Sequence, residues 1–292
     1  MRIAVLGAAF SAGGADPGSR HGPQVFRQRE FRRWRKRLRM SVRWAGIVYE
    51  ETALPLSQPQ GTKIIQRNSH RLMRHTRRLR RGGILPFVLG GDHSCAIGTW
   101  SGVAAAQKQA LGLLWIDAHL DAHTPETSET QRVHGMPLAV LLGEGDVQLT
   151  RLAGICPVID ARYCTVIGVR SFEAGELLRL QRLGVRFYTM EEIRRRSLAI
   201  VLKEAWRLVS KAPGGFGVSL DLDVLDPLLA PGTSVPEQHG LDPHKLARLL
   251  RQQTGKQRLR GLEVVELNPQ RDPQGQTRRL MPALMTALLV SR

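Results

Sequence analysis

Leu111-Gly112-Leu113-Leu114-Trp115-Ile116-Asp117-Ala118-His119-Leu120-Asp121 decides how this chain reads. Its apolar first half reads as a buried strand, and a D-x-H-x-D pattern begins where the strand would end. Residues two apart on extended chain point the same way, so Asp117, His119 and Asp121 can converge. The run Phe216–Leu220 leads likewise into Asp221-Leu222-Asp223. Leu85–Leu89 leads into Gly90-Gly91-Asp92-His93-Ser94, where two glycines permit a tight turn at a strand end and His93 follows at once. An uncompensated buried carboxylate costs on the order of several kcal/mol. So many at strand ends call for a metal, and the number of carboxylates suits more than one divalent ion. Oxygen-rich ligation with a minority of imidazole fits Mn²⁺ better than a cysteine-containing structural zinc site, and Co²⁺ and Fe²⁺ fit the same donors.

Strand-like runs recur outward from this stretch: Ile3–Leu6, Leu85–Leu89, Leu111–Ile116, Cys164–Val169, Val185–Tyr188, Phe216–Leu220 and Leu259–Val265. Helix-like stretches lie between several of them: Thr62–Arg81, Ile97–Gln107, Gly175–Leu183, Met190–Val209, Pro243–Gln253 and Arg278–Leu289. Such alternation predicts an α/β fold with a mainly parallel sheet between helical layers, its strand ends on one edge where ligands bind. No linker or repeat divides residues 1–292, so a single domain is expected.

Apolar residues make up 42% of the chain, which fits a protein with a packed core and excludes a disordered one. No apolar stretch is long enough to span a bilayer, and Met1–Phe10 reads better as a first strand than as a signal segment. Cys95, Cys156 and Cys164 have neither an even count nor metal-type spacing, which predicts a cytoplasmic setting. The net charge of +18 is concentrated in residues 27–39 and 67–81. An anionic partner such as nucleic acid is one reading. The other is a solvated helix face: Ile64, Ile65, Leu72, Leu79 and Ile84 recur at roughly helical spacing between arginines, and only seven of the 43 basic residues are lysine. The second reading is preferred.

Gly90-Gly91-Asp92-His93-Ser94, D-x-H-x-D at 117–121, His134-Gly135 and Ser219-Leu220-Asp221-Leu222-Asp223-x-x-Asp226-Pro227 resemble the ureohydrolases in order and spacing. Arg20-x-Gly22-Pro23 and Glu263-x-x-Glu266-x-Asn268-Pro269 extend the resemblance nearly end to end. Thr124–Ser128 and His134–Ala139 are similar to the bacterial arginase branch. The resemblance implies a three-layer α/β/α fold, two Mn²⁺ ions, a homo-oligomer (trimer or hexamer), and hydrolysis of a small guanidino substrate, L-arginine, to L-ornithine and urea. It implies His93, Asp117, Asp121 and Asp221 around one ion and Asp117, His119, Asp221 and Asp223 around the other.

The chemistry agrees. Two divalent ions lower the pKa of a shared water and present hydroxide at neutral pH. Asp121 would accept a hydrogen bond from it, Glu266 would pair with the guanidinium, and His134 would relay a proton to the leaving amine. Asp92 and Asp226 read as supporting and turn residues. Glu263 lies an odd number of residues from Glu266, reads as facing the other side of a strand, and is taken as structural. His70, His75 and His244 read as surface residues.

The departures from arginase pattern fall where the amino-acid end of a substrate would sit. His123 replaces an asparagine, Thr130-Gln131-Arg132 replaces Ser-x-Asn, Glu173 stands where an aspartate is usual, and Val224 replaces a glycine. His123, Ser128, Thr130 and Arg132 would face a substrate carboxylate, and Glu173 its ammonium. Ala230–Glu237 leans toward agmatinase and formimidoylglutamase patterns. Agmatine, 4-guanidinobutyrate and N-formimidoylglutamate therefore stay open as substrates. A catalytically silent binding protein for nucleic acid or an acidic partner is the rival from another class, and the intact ligand set speaks against it.

Overall fold

The computed structural model describes residues 1–50 and 58–291. Eight strands form one sheet: β1 (Arg2–Ala9), β2 (Ser41–Tyr49), β3 (Ile84–Gly90), β4 (Leu111–Ile116), β5 (Ile159–Val169), β6 (Arg186–Thr189), β7 (Phe216–Asp221) and β8 (Leu259–Val265). Their order is β2-β1-β3-β8-β7-β4-β5-β6, and every pairing is parallel. Helices pack against both faces, which is the expected α/β/α layering.

The order explains where the chemistry gathers. The chain builds β1 to β3 on one side and crosses to build β4 to β6 on the other. It then returns to insert β7 and β8 into the gap. A gap of this kind between oppositely running halves leaves a crevice at the carboxyl edge. The ends of β3, β8, β7 and β4, which are adjacent, carry His93, Glu266, Asp221 and Asp117. Trp115, Ser219 and Glu263 lie in register across β4, β7 and β8, one layer beneath.

Three elements differ from expectation. β2 was not anticipated, because Ser41–Tyr49 mixes polar and apolar residues; as an edge strand it is only partly buried. The basic stretch from Arg27 lies in a helical run, Gly22 to Arg37, anchored by buried Phe26, Phe31 and Trp34. The stretch Met190–Val209 is two helices, Met190–Arg196 and Leu198–Val209, divided at Ser197, whose φ of 76° no helix tolerates.

The second basic run forms one face of the helix Gln58–Arg81. Ile64, Ile65, Leu72 and Leu79 are buried while Arg67, Arg74, Arg78 and Arg81 are exposed, as a solvated arginine face requires. Ile84 belongs to β3 instead of that helix.

Gly217 on β7 links the fold to the site. A Cβ there would lie 2.0 Å from the buried Trp100 ring, so only glycine lets the indole lie flat on the sheet. There Trp100 Nε1 donates to Glu263 Oε2 at 3.1 Å. Gly217→Ala should therefore lower unfolding stability by about 1–3 kcal/mol, the usual cost of overpacking. Unchanged urea midpoints would show that the indole can move away freely.

Candidate metal centre and active site

The strand ends bring the predicted ligands into one buried cluster. His93 Nδ1 lies 3.1 Å from Asp117 Oδ2, 3.0 Å from Asp121 Oδ2 and 3.0 Å from Asp221 Oδ2. His119 Nδ1 lies 3.1 Å from Asp223 Oδ2 and 3.5 Å from Asp117 Oδ1. Asp117 thus offers one oxygen to each group. Short backbone turns hold the carboxylates in place. His119 N–H donates to Asp117 Oδ1 at 2.8 Å, Asp223 N–H to Asp221 Oδ1 at 2.8 Å, and Ala118 N–H to Asp223 Oδ1 at 3.3 Å.

The hydrogen-bond network argues for a cation here. Ser219 Oγ donates to Glu263 Oε2 at 2.9 Å, so its oxygen accepts from His93 Nε2–H, also at 2.9 Å. That tautomer leaves the Nδ1 lone pair facing three carboxylate oxygens, and Nδ1 has no hydrogen-bond partner. A lone pair aimed at anionic oxygens is repulsive; burial opposes charging the ring, but the three aspartates raise the His93 pKa well above its ordinary value, so a proton or a metal cation belongs between them. The residues fit a divalent pair: four aspartates and two imidazoles, with the second nitrogen of His93 tied back as metal-bound histidines usually are. Trp115 contributes twice, stacking on the His93 ring at 4.0 Å and donating Nε1–H to Asp117 Oδ2 at 2.8 Å.

The electrostatics without a cation are frustrated. Burial, then the charges of Asp223 and Asp117, push Asp221 well above the usual carboxylate range. Burial and the Asp117 charge also raise Asp121 and Asp223. For Asp117 burial acts upward, but hydrogen bonds with His119 and His93 outweigh it and hold its carboxyl well below that range.

Glu266 and His134 meet at the cluster's rim. Glu266 Oε1 accepts from His93 N–H at 2.9 Å and lies 3.7 Å from His134 Nδ1. Glu266 Oε2 is buried without a hydrogen-bond partner. Burial opposes charging His134, but the bond with Glu266 wins and raises its pKa. Asp121 and Glu266 both have positive φ, 49° and 65°, a strained conformation for side chains of this size. His134 is held from behind by the loop after β1: its N–H donates to Gly13 O at 3.1 Å, and Gly13 N–H donates to Asp92 Oδ2 at 2.7 Å. Asp92 is therefore a support and not a ligand, and Asp226 is a turn residue accepting from Leu228 N–H at 3.0 Å.

The cavity above this cluster is lined by His123, Thr130, Arg132 and Glu173, all expected there, together with Phe172 and Val235. Ser128 does not line it; its Oγ accepts from Gln131 N–H at 3.0 Å and shapes the turn. Sequence reasoning missed Glu176, which is 3% exposed and accepts from Ala122 N–H and Glu173 N–H, both at 3.0 Å. Its signal was the Glu-x-x-Glu spacing of a helix N-terminus, where the third helical residue reaches back. It also missed the reach of Glu263, which is one hydrogen bond from Ser219 and two from His93, and so supports the metal cluster besides being structural.

Comparison with known proteins agrees with the geometry. The family model described as the arginase family matches residues 1–290. An arginase of Bacillus caldovelox is 34% identical over 291 residues, covering 98% of this chain and 97% of that one. An arginase of Brevibacillus brevis is 41% identical over 206 residues, 70% of this chain and 69% of that one. The solved native structure of the Bacillus caldovelox arginase superposes with a TM-score of 0.92 at 32% identity, covering 100% of this chain and 99% of that chain. A formimidoylglutamase from Bacillus subtilis shares the fold, with a TM-score of 0.77 at 22% identity over 99% of this chain and 86% of that one. On sequence, fold and cluster geometry together, the chain belongs to the arginase family.

Proposed function

We propose that this chain, acting as a single domain over residues 1–292, hydrolyses L-arginine to L-ornithine and urea with two Mn²⁺ ions. One observation carries the reading: five of the six ligand side chains, with Asp117 against His93 and His119, meet the unpartnered Glu266 oxygen and His134 at one cavity in an arginase-family chain. His93, Asp117, Asp121 and Asp221 would hold one ion, and Asp117, His119, Asp221 and Asp223 the other. When bound, such a pair supplies a nucleophile from water at neutral pH and polarises the carbon under attack.

The remaining steps belong to the protein's side chains. Glu266 Oε2 accepts from the planar guanidinium, and the bond from His93 N–H to Oε1 fixes its plane. Asp121 steadies the reacting water by accepting its hydrogen. His134, beside Glu266, carries a proton to the leaving amine. Glu173 and Glu176 face the α-ammonium, and His123, Thr130 and Arg132 the α-carboxylate. The free cysteines support a cytoplasmic setting, and the ureohydrolase resemblance supports a homo-oligomer, trimer or hexamer. Among the described residues no helix is long and apolar enough to cross a membrane, and the exposed arginines carry no nucleic-acid role in this reading.

A second reading keeps the chemistry and changes the substrate. Arg132 brings positive charge to the mouth, and His123 contacts Glu173, the carboxylate an α-ammonium would need. That favours acidic guanidino or formimidoyl compounds. Comparison of kcat/KM for arginine, agmatine, 4-guanidinobutyrate and N-formimidoylglutamate separates the two. Arginine should be best and agmatine poor, because a truncated substrate leaves built polar partners unpaired. A higher value for either acidic compound would move the assignment to it.

His134→Asn should retain the full metal content and lower kcat about a hundredfold or more, as loss of a general acid does. An unaltered kcat would return His134 to the role of a loop residue.

A further inference from the structure

At the cavity mouth a second constellation repeats the logic of the metal cluster with different residues. His123 Nε2 contacts Glu173 Oε2 and lies 3.3 Å from Glu176 Oε2. One ligating atom from each of the three lies within 4.8 Å of the others. The far side of the ring is tied back. Thr127 Oγ1 lies 3.2 Å from His123 Nδ1 and holds that side of the ring. Nε2 faces two carboxylates, as His93 Nδ1 faces three. In a chain with 43 lysines and arginines, the ion pairs formed by these glutamates among the described residues are with His123 alone.

We propose that His123, Glu173 and Glu176 form a third metal site, which takes Zn²⁺ at the mouth of the substrate cavity. One imidazole and two carboxylates leave the fourth tetrahedral position open to water, the arrangement of an exchangeable zinc site. The site is pre-set. Glu176 is fixed by Ala122 and Glu173 N–H, and His123 by Thr127, the kind of outer partner that orients metal-bound histidines. Glu173, on an exposed turn, gives the ion a path in from solvent. Burial raises the Glu176 pKa to about 8, so a cation at this position also relieves a buried carboxyl. A bound ion would take both carboxylates that face a substrate ammonium and put positive charge in its place. Zn²⁺ would then act as a competitive inhibitor with respect to arginine.

The test is equilibrium dialysis of the tag-free full-length chain, saturated with Mn²⁺, against micromolar free Zn²⁺, with both metals counted by mass spectrometry. The expected result is one Zn²⁺ per chain without loss of Mn²⁺. That equivalent should disappear in His123→Asn and, separately, in Glu173→Gln, a surface change that leaves folding intact if the histidine variant does not fold. In arginine kinetics Zn²⁺ should raise the apparent KM and leave kcat unaltered. Zn²⁺ that enters only by displacing Mn²⁺, an extra equivalent that survives in both variants, or no extra equivalent would each overturn the proposal. The count compares wild type with variants, so it stands apart from the identity of the substrate and of the two ions in the deeper cluster.

Discussion

Four aspartates and two histidines are held together at the carboxyl edge of the central strands, a concentration of buried charge that only protons or metal cations offset. His93 shows this most plainly. Its Nε2–H is committed to Ser219, so its buried Nδ1 faces three carboxylates that demand a proton or a metal ion there. Much of the surrounding structure serves to keep this arrangement from collapsing. Trp115 stacks on the ring and binds Asp117, Glu263 anchors Ser219, and Trp100 anchors Glu263 over the space left by Gly217. Backbone strain at Asp121 and Glu266 fits the same picture, since it persists only where neighbours over-determine the geometry.

The topology is what makes such a cluster possible. Ligands separated by more than a hundred residues arrive on adjacent strands because β7 and β8 are inserted between the two halves of the sheet. β4 and β7 each end in a short turn whose backbone N–H groups hold that strand's own carboxylate, and the turn after β3 holds Glu266. The layer beneath is apolar apart from the Ser219–Glu263–Trp100 chain, so the field at the cluster is little screened.

Most of this was legible in the sequence, for identifiable reasons. Buried parallel strands read as continuous apolar runs, and seven of the eight strands announced themselves in that way. β2 did not, because Ser41–Tyr49 mixes polar and apolar residues and has no such run. The ligands were legible because period-two spacing at a strand end leaves few alternatives to convergence. Glu263 was read as structural by the same parity argument, and its bonds from Trp100 and Ser219 bear that out. It does point away from Glu266, but into the layer where Ser219 reaches it, and pairing between β7 and β8 cannot be read from one strand. Glu176 was hidden because its role depends on a helix start, and it lies 54 residues from Ala122, the residue whose N–H it binds at the cavity wall. The arginine-rich stretches illustrate the opposite case. Their charge draws the eye, yet Ile64, Ile65, Phe31 and Trp34 between the arginines do the packing.

The central claim is that a divalent pair, and not protons, completes this cluster. In the metal-free chain Asp121, Asp221 and Asp223 have raised pKa values, so protons there stabilise the fold below the ordinary carboxylate pKa of about 4. That contribution is lost as pH rises through the raised values. Ligands must be deprotonated to bind metal, so metal binding releases protons and gains strength with pH over the same window. Calorimetric titration of the metal-free protein with Mn²⁺, in buffers of different ionisation enthalpy, reads both quantities at once. The account predicts close to two equivalents of Mn²⁺ bound, with a net release of protons that shrinks as pH rises, and loss of binding in Asp221→Ala. Binding of no Mn²⁺, or binding with no proton release at any pH, would contradict it.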